Sequence, residues 1–222
     1  MTKLKVVAGV AILIIIMRQF ILYDVPELFP IGQELGELLF NLSIGYLVTF
    51  WFYFLTVYRP EQEHKKRANA YAKEFVKKIV QAYESLIEDL IESQSSLVST
   101  LQLNIDSKEA LIAILKITDS TKLSPRMNNM FVPMTWADLF LNQRNQIERF
   151  LREITIVYGH LEPHQNEVIT KMLSHHLLEH IRNIPLSTIQ NLDFLAEGMW
   201  EFGTLVKELK KEFDEELEPI AS

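Results

Sequence analysis

The pentapeptide His176-Leu177-Leu178-Glu179-His180 is the chain's clearest arrangement of groups able to do chemistry. On a helix, side chains four residues apart share a face, so His176 and His180 can approach one metal ion from the same side. Glu179 beside them could take a proton from a metal-bound water, and the chemistry would be hydrolysis. A catalytic zinc needs a third protein ligand; Glu197 and Glu201 lie downstream, with no motif to fix them. A histidine-rich helix flank produces the same pattern with no metal at all. His176, Glu179 and His180 are therefore metal-site candidates, a membrane-anchored zinc hydrolase is the alternative reading, and no catalytic residue or cofactor is assigned. His160 and His164 are also four apart, but they straddle a predicted helix boundary at Pro163.

Composition removes most other chemistries. The chain has no cysteine, which excludes thiolate nucleophiles, thiolate metal sites and disulfides. Its seven glycines form neither a phosphate-binding loop nor a nucleophile elbow. Paired carboxylates such as Glu88-Asp89 and Glu215-Glu216 lie on charged helix faces and read as solvated. Residues 1–60 carry four basic groups (Lys3, Lys5, Arg18, Arg59) and four acidic ones (Asp24, Glu27, Glu34, Glu37). The net charge of −7 thus belongs to residues 61–222. So acidic a domain lacks the basic footprint of a nucleic-acid binder, and no nucleic-acid partner is expected.

The elements that position these groups begin in an apolar N-terminal third. Residues 38–58 hold 21 uncharged residues, enough for about 30 Å of helix, the thickness of a bilayer core. Residues 4–23 form a second apolar stretch, interrupted at Arg18. The connector 24–37 has four carboxylates, Pro26, Pro30, Gly32 and Gly36, and no basic residue. Basic residues precede the first stretch and follow the second (Arg59, Lys65, Lys66, Arg67, a flank facing anionic lipid). The positive-inside rule then predicts two spans, both termini cytoplasmic and the loop 24–37 outside. A polar or small stripe crosses this domain: Arg18, Glu37, Asn41, Ser43, Gly45 and Thr49. It reads either as a helix–helix seam in which Asn41 and Ser43 satisfy Arg18, or as a line facing an oligomer axis and hence a conducting path. Aligning the spans by depth sets residues 8–11 level with residues 51–54.

The predicted fold class is all-α: a membrane domain, residues 1–59, followed by a cytosolic helical bundle, residues 60–222, whose first and last helices are heptad-spaced. Pro60 suits the first turn of a new helix. From it Val76, Ile79, Tyr83, Leu86 and Leu90 keep three-four spacing, and so do Leu192, Leu195, Met199, Phe202, Val206 and Leu209 near the end. These seams pair with each other inside one subunit, or the juxtamembrane helix pairs with copies of itself as a coiled coil. Asp106 with Glu109, Thr135 with Asp138, and Ser187 with Gln190 fit capping patterns. Pro163 opens a helix predicted to reach about residue 182. Residues 119–134 read as a loop that Met127, Met130, Phe131 and Met134 dock onto the bundle.

The run Leu39-Phe40-Asn41-Leu42-Ser43-Ile44-Gly45-Tyr46, with Phe52-Tyr53-Phe54-Leu55 and Tyr58-Arg59-Pro60-Glu61 after it, resembles the anchor of bacterial two-span inner-membrane proteins that carry small cytosolic helical domains. The resemblance implies an inner-membrane setting, some of its members lying in defence or stress loci; it transfers no activity. The pentapeptide is similar to the motif of the inverted zinc peptidases, whose downstream carboxylate ligand has no matching motif here. The resulting expectation is a non-enzymatic membrane protein in contact with the lipid bilayer. It forms a homo-oligomer and couples a cytosolic protein partner or signal to the membrane, with altered permeability as one output.

Overall fold

The computed structural model describes residues 2–21, 32–93, 107–128, 130–183 and 185–214. It is mostly helical, and the chain divides into two compact units, Met1–Lys66 and Arg67–Ser222.

In the first unit, α1 (Thr2–Ile16) runs into a π-helical turn, Met17–Ile21. Helix α2 (Gly32–Tyr53) packs on α1. The Tyr46 hydroxyl donates to the Leu4 carbonyl at 3.1 Å, while the Arg18 guanidinium lies 4.7 Å from the centre of the Phe40 ring. Residues later in α1 thus meet residues earlier in α2, and the pair is antiparallel. Ala8, Ala11 and Ser43 are the buried residues among those described in the two helices. Large apolar side chains point outward: Leu42 is 62%, Val48 64% and Phe52 69% exposed. Small residues let two backbones approach, so they take the buried positions of the contact. Trp51 and Phe52 face outward rather than onto α1, while Tyr46 reaches back to Leu4.

α2 begins at Gly32, so Glu34, Gly36 and Glu37, expected in the connector, are helical. Residues 24–31 of that connector, with residues 22 and 23 before it, lie outside the described residues. A second π-helical turn, Phe54–Tyr58, leads into α3 (Arg59–Ser93). Pro60 has no N–H to donate and its ring crowds the carbonyl four residues back. The backbone accommodates it with one extra residue in the turn: the Arg59 N–H donates to the Phe54 carbonyl, five residues earlier. The sequence predicts a fresh helix at Pro60; the helical backbone instead continues through it. Within that continuous stretch, Glu34–Ser93, lies the one segment among the described residues long and apolar enough to cross a membrane.

The second unit adds α4 (Lys108–Ile117), a hairpin of β1 (Leu123–Met127) and β2 (Pro133–Thr135), then α5 (Trp136–Thr155), α6 (Pro163–Leu173), α7 (His176–Asn183) and α8 (Ala196–Asp214). Ser107 caps α4 by accepting the Ala110 N–H; Asp106 lies outside the described residues. Thr135 and Asp138 form a reciprocal capping box on α5, and Glu162 with Gln165 form one on α6, where Pro163 is the first residue.

The seam residues of α3 and of the segment 192–209 converge on one core. Val76, Ile79, Leu86, Leu90, Leu192, Leu195, Met199, Phe202, Val206 and Leu209 are all buried there. Tyr83, half-buried, donates its hydroxyl to the Met199 carbonyl at 2.7 Å and lies against Gly203. Lys73 pairs with Asp214 at 3.1 Å, and Lys210 with Glu84 at 3.3 Å. Both apolar faces are thus covered within one subunit.

Three local readings are corrected. The stretch 119–134 is not a simple loop but contains the antiparallel hairpin, with Leu123 opposite Thr135 and Met127 opposite Pro133. Arg126 holds it to α3 through Asp89 at 2.5 Å and the Ser85 carbonyl at 3.3 Å. Met134 packs down; Met127, Met130 and Phe131 are exposed at the other end. The last helix begins at Ala196, not after Ser187, because the segment before it is held by the rest of the fold. The Leu192 N–H donates to the Leu115 carbonyl, and the buried Ser120 hydroxyl shares its one O–H between the Leu186 and Ile189 carbonyls. Those groups are then unavailable to a helix. Lastly, the helix expected over 163–182 is broken at Ser174 and His175 into α6 and α7.

Candidate metal centre

That break builds the site. The Ser174 N–H and hydroxyl both fold back to the Thr170 carbonyl, at 3.1 and 2.9 Å, and the His175 N–H returns to Met172 at 3.2 Å. α6 thus closes and α7 opens in a new direction. His175 stands just before α7, and its Nδ1 accepts the Leu177 N–H at 3.2 Å, satisfying one of the free donors of a helix start. The ring lies edge-on to Phe202 (5.5 Å between centres) and stacks on His176 (4.4 Å), leaving the His175 side chain 10% exposed.

With Nδ1 accepting, the neutral His175 ring carries its proton on Nε2, a tautomer assigned from the hydrogen bonding. That atom lies 3.5 Å from Oε2 of Glu201 on α8. The His176 Nδ1 lies 3.8 Å from the same oxygen. Burial pushes the His175 imidazole below its ordinary pKa; the neighbouring His176 adds to this and Glu201 opposes it. Gly198 makes room for the second ring, since a Cβ there would come within 2.9 Å of the His176 Nε2. His176 and Glu201 are both about half exposed, so the cluster opens to solvent on one side.

The pentapeptide therefore divides. His176 enters the cluster, and His180 meets it edge-on one turn later, ring centres 5.3 Å apart. Glu179 and His180 lie exposed on α7 outside the group of possible ligands, which is His175, His176 and Glu201, their ligand atoms all within 4.8 Å of one another. Of the two downstream carboxylates, Glu197 is taken by Lys108 at 2.6 Å and Glu201 is the one that faces the imidazoles. Sequence reasoning passes over His175 because an unbroken helix would turn it away from His176. The adjacent Ser174-His175 pair, two weak helix formers in mid-pattern, is the signal that could have located the break.

The polar stripe of the first unit also divides. Ser43 is buried and donates to its own helix, at the Leu39 carbonyl, 2.7 Å away. Arg18 sits over Phe40, and that ring, rather than Asn41 or Ser43, receives its charge. At about 100° per residue, Asn41 and Gly45 lie about 160° round α2 from Ser43, and Thr49 about 120°. All three are exposed, as is Glu37. The Thr49 hydroxyl donates to the Gly45 carbonyl at 2.8 Å. Arg59 pairs with Glu63 at 3.4 Å, and Lys65, Lys66 and Arg67 follow within the first turns of α3. No protein-family model matches the chain, and no curated protein or solved structure matches it either.

Proposed function

We propose that the chain is a two-span membrane protein, both termini cytoplasmic, that oligomerises and couples a cytosolic partner or signal to the membrane. The observation that carries this is the α1–α2 pair, small inside and apolar outside, with Asn41, Gly45 and Thr49 turned away from the α1 contact. In water, outward Leu42, Val48 and Phe52 would each forgo about 1.5–3 kcal/mol of burial; in hydrocarbon they are at home. Lys3 and Lys5 at the start of α1, and Arg59, Lys65, Lys66 and Arg67 after α2, suit the cytoplasmic leaflet.

The stripe supports assembly. In a lone copy an Asn41 amide on the outer face of α2 would meet lipid, where a polar group lacks partners. A second copy supplies them, and Gly45 lets the backbones come close. The seams of the second unit are spent inside its own core, so self-association falls to the membrane part. A change in permeability follows if the stripe lines the axis.

The absence of cysteine makes the test direct. Single Asn41→Cys and Gly45→Cys chains should form disulfide-linked dimers in oxidised membranes, while Leu39→Cys, off the stripe, should not. Cysteines placed at either terminus should react with an impermeant thiol reagent only in inside-out vesicles. A strict monomer in detergent and in nanodiscs, with no cross-link at either stripe position, would sink the oligomer. Labelling of either terminus from outside would sink the topology.

A further inference from the structure

We propose that His175 Nε2, His176 Nδ1 and a carboxylate oxygen of Glu201 form a binding site for a zinc-class divalent cation. The site joins the start of α7 to α8 and needs neither the membrane spans nor an oligomer.

Two imidazole nitrogens and one carboxylate oxygen are the donor set such a cation takes. Ligands held about 2.0–2.1 Å from a tetrahedral metal stand about 3.3–3.4 Å apart. The two distances to Glu201, 3.5 and 3.8 Å, lie within a few tenths of an ångström of that edge. Each of the three residues offers a ligand atom within 4.8 Å of the others, and rotation of the half-exposed His176 ring closes the remaining edge. No side chain need be unpacked: the Phe202 edge already supports the His175 ring, and Gly198 leaves the His176 ring its space. The solvent-facing side supplies a fourth position for water.

One consequence distinguishes this site from a bare His–carboxylate hydrogen bond. The metal takes the place of the Nε2 proton of His175. For the ring to stay neutral, a proton must then sit on Nδ1, which can no longer accept the Leu177 N–H. That N–H lies in the first turn of α7, where water can take it up. Binding therefore releases the Leu177 amide while it tethers α7 to α8 through Glu201.

The test uses the full chain in detergent, stripped of metal and titrated with Co²⁺ as the probe. One Co²⁺ per chain should bind with the intense visible absorption of a tetrahedral site and be displaced by Zn²⁺. Glu201→Gln and His176→Ala should each weaken binding about tenfold or more, with an unchanged thermal transition in the metal-free form. His180→Ala should bind as the parent does, and metal should speed hydrogen exchange at Leu177. Absence of saturable binding overturns the proposal. So does equal binding by the parent, Glu201→Gln and His176→Ala, which places the metal elsewhere. Loss in His180→Ala as large as in His176→Ala would return the site to the pentapeptide and overturn this ligand set.

Discussion

Replacing Glu148 by glutamine should unfasten α7 from α5. Glu148 is 13% exposed and gathers three arginines. Arg144, 8% exposed, pairs with it one turn earlier on α5; Arg152 reaches it at 2.7 Å from one turn later; Arg182 comes from α7 at 2.9 Å. Arg144 also donates to the Leu178 carbonyl of α7 at 3.1 Å and to Asn145 at 2.7 Å. Removing one partner of a buried ion pair costs about 3–5 kcal/mol, because the other charge stays buried. Here Arg144 keeps two acceptors and the glutamine oxygen offers a third, so the cost falls just below that range, about 2–3 kcal/mol. The bonds to the exposed Arg152 and Arg182 side chains add less than about 1 kcal/mol each.

At about 2–4 °C per kcal/mol for a unit of this size, Glu148→Gln should lower the transition of the second unit by about 5–10 °C at pH 7. Tryptophan fluorescence of the full chain in detergent reads it, since Trp136 is buried in α5. The pH dependence supplies a second check. Burial pushes the Glu148 carboxyl up, but hydrogen bonds from Arg152 and Arg182 and the charge of Arg144 more than reverse this, leaving its pKa below the ordinary value. A depressed carboxylate stabilises the fold above its unfolded pKa, about 4.3, and loses that contribution as pH falls through the lower folded value. The gap between parent and variant should therefore be full at neutral pH and shrink below about pH 4. A transition within 1 °C of the parent at pH 7, or a gap that does not shrink in acid, would refute the reasoning.

Two further substitutions probe packing and backbone strain. In Gly203→Ala the added methyl overlaps the Tyr83 phenol and displaces its hydroxyl from the Met199 carbonyl; the expected loss is about 1–3 kcal/mol, read as a lower thermal transition. Phe131 holds a left-handed backbone, φ 59°, at the exposed end of the hairpin, where Asn128 accepts the Met130 and Val132 N–H groups. Phe131→Gly should relieve about 1–2 kcal/mol of strain against about 0.5–1 kcal/mol of glycine entropy, so chemical denaturation should find it slightly more stable.

What the sequence conveys is what repeats or lies close by. The three-four spacing from Val76 to Leu90 and from Met199 to Leu209 marks faces that are buried, and the Thr135–Asp138 pair marks a helix start that is observed. What it conceals depends on distant partners. Residues 186–192 carry a capping pattern, yet Ser120 and Leu115, about 70 residues earlier in the chain, hold their backbone out of a helix. The hairpin hides behind Pro125 in a five-residue strand and is fixed by Arg126 reaching Asp89 on α3. The cluster at α7 follows the same rule: His176 is legible as half of an i,i+4 pair, while Glu201 comes from another helix and His175 from a break with neither glycine nor proline to mark it.

The same distinction bears on self-association. A heptad seam read from sequence carries no indication of whether its partner lies in the same chain. Here the α3 seam ends on Met199 and Phe202, fastened by Tyr83 and by the Lys73–Asp214 and Lys210–Glu84 pairs. A coiled coil between copies would have to expose that core first. The stripe on α2 has the opposite character: Asn41, Gly45 and Thr49 lie outward, with no cover from α1 to displace. In a membrane, close packing and shared polar contacts drive helices together, not burial of apolar area. An outward Asn beside an outward Gly therefore favours assembly there, just as an outward Leu would favour it in water. Under the proposed topology, copies meet through the polar face of α2, and the α3 seam stays closed within its own chain.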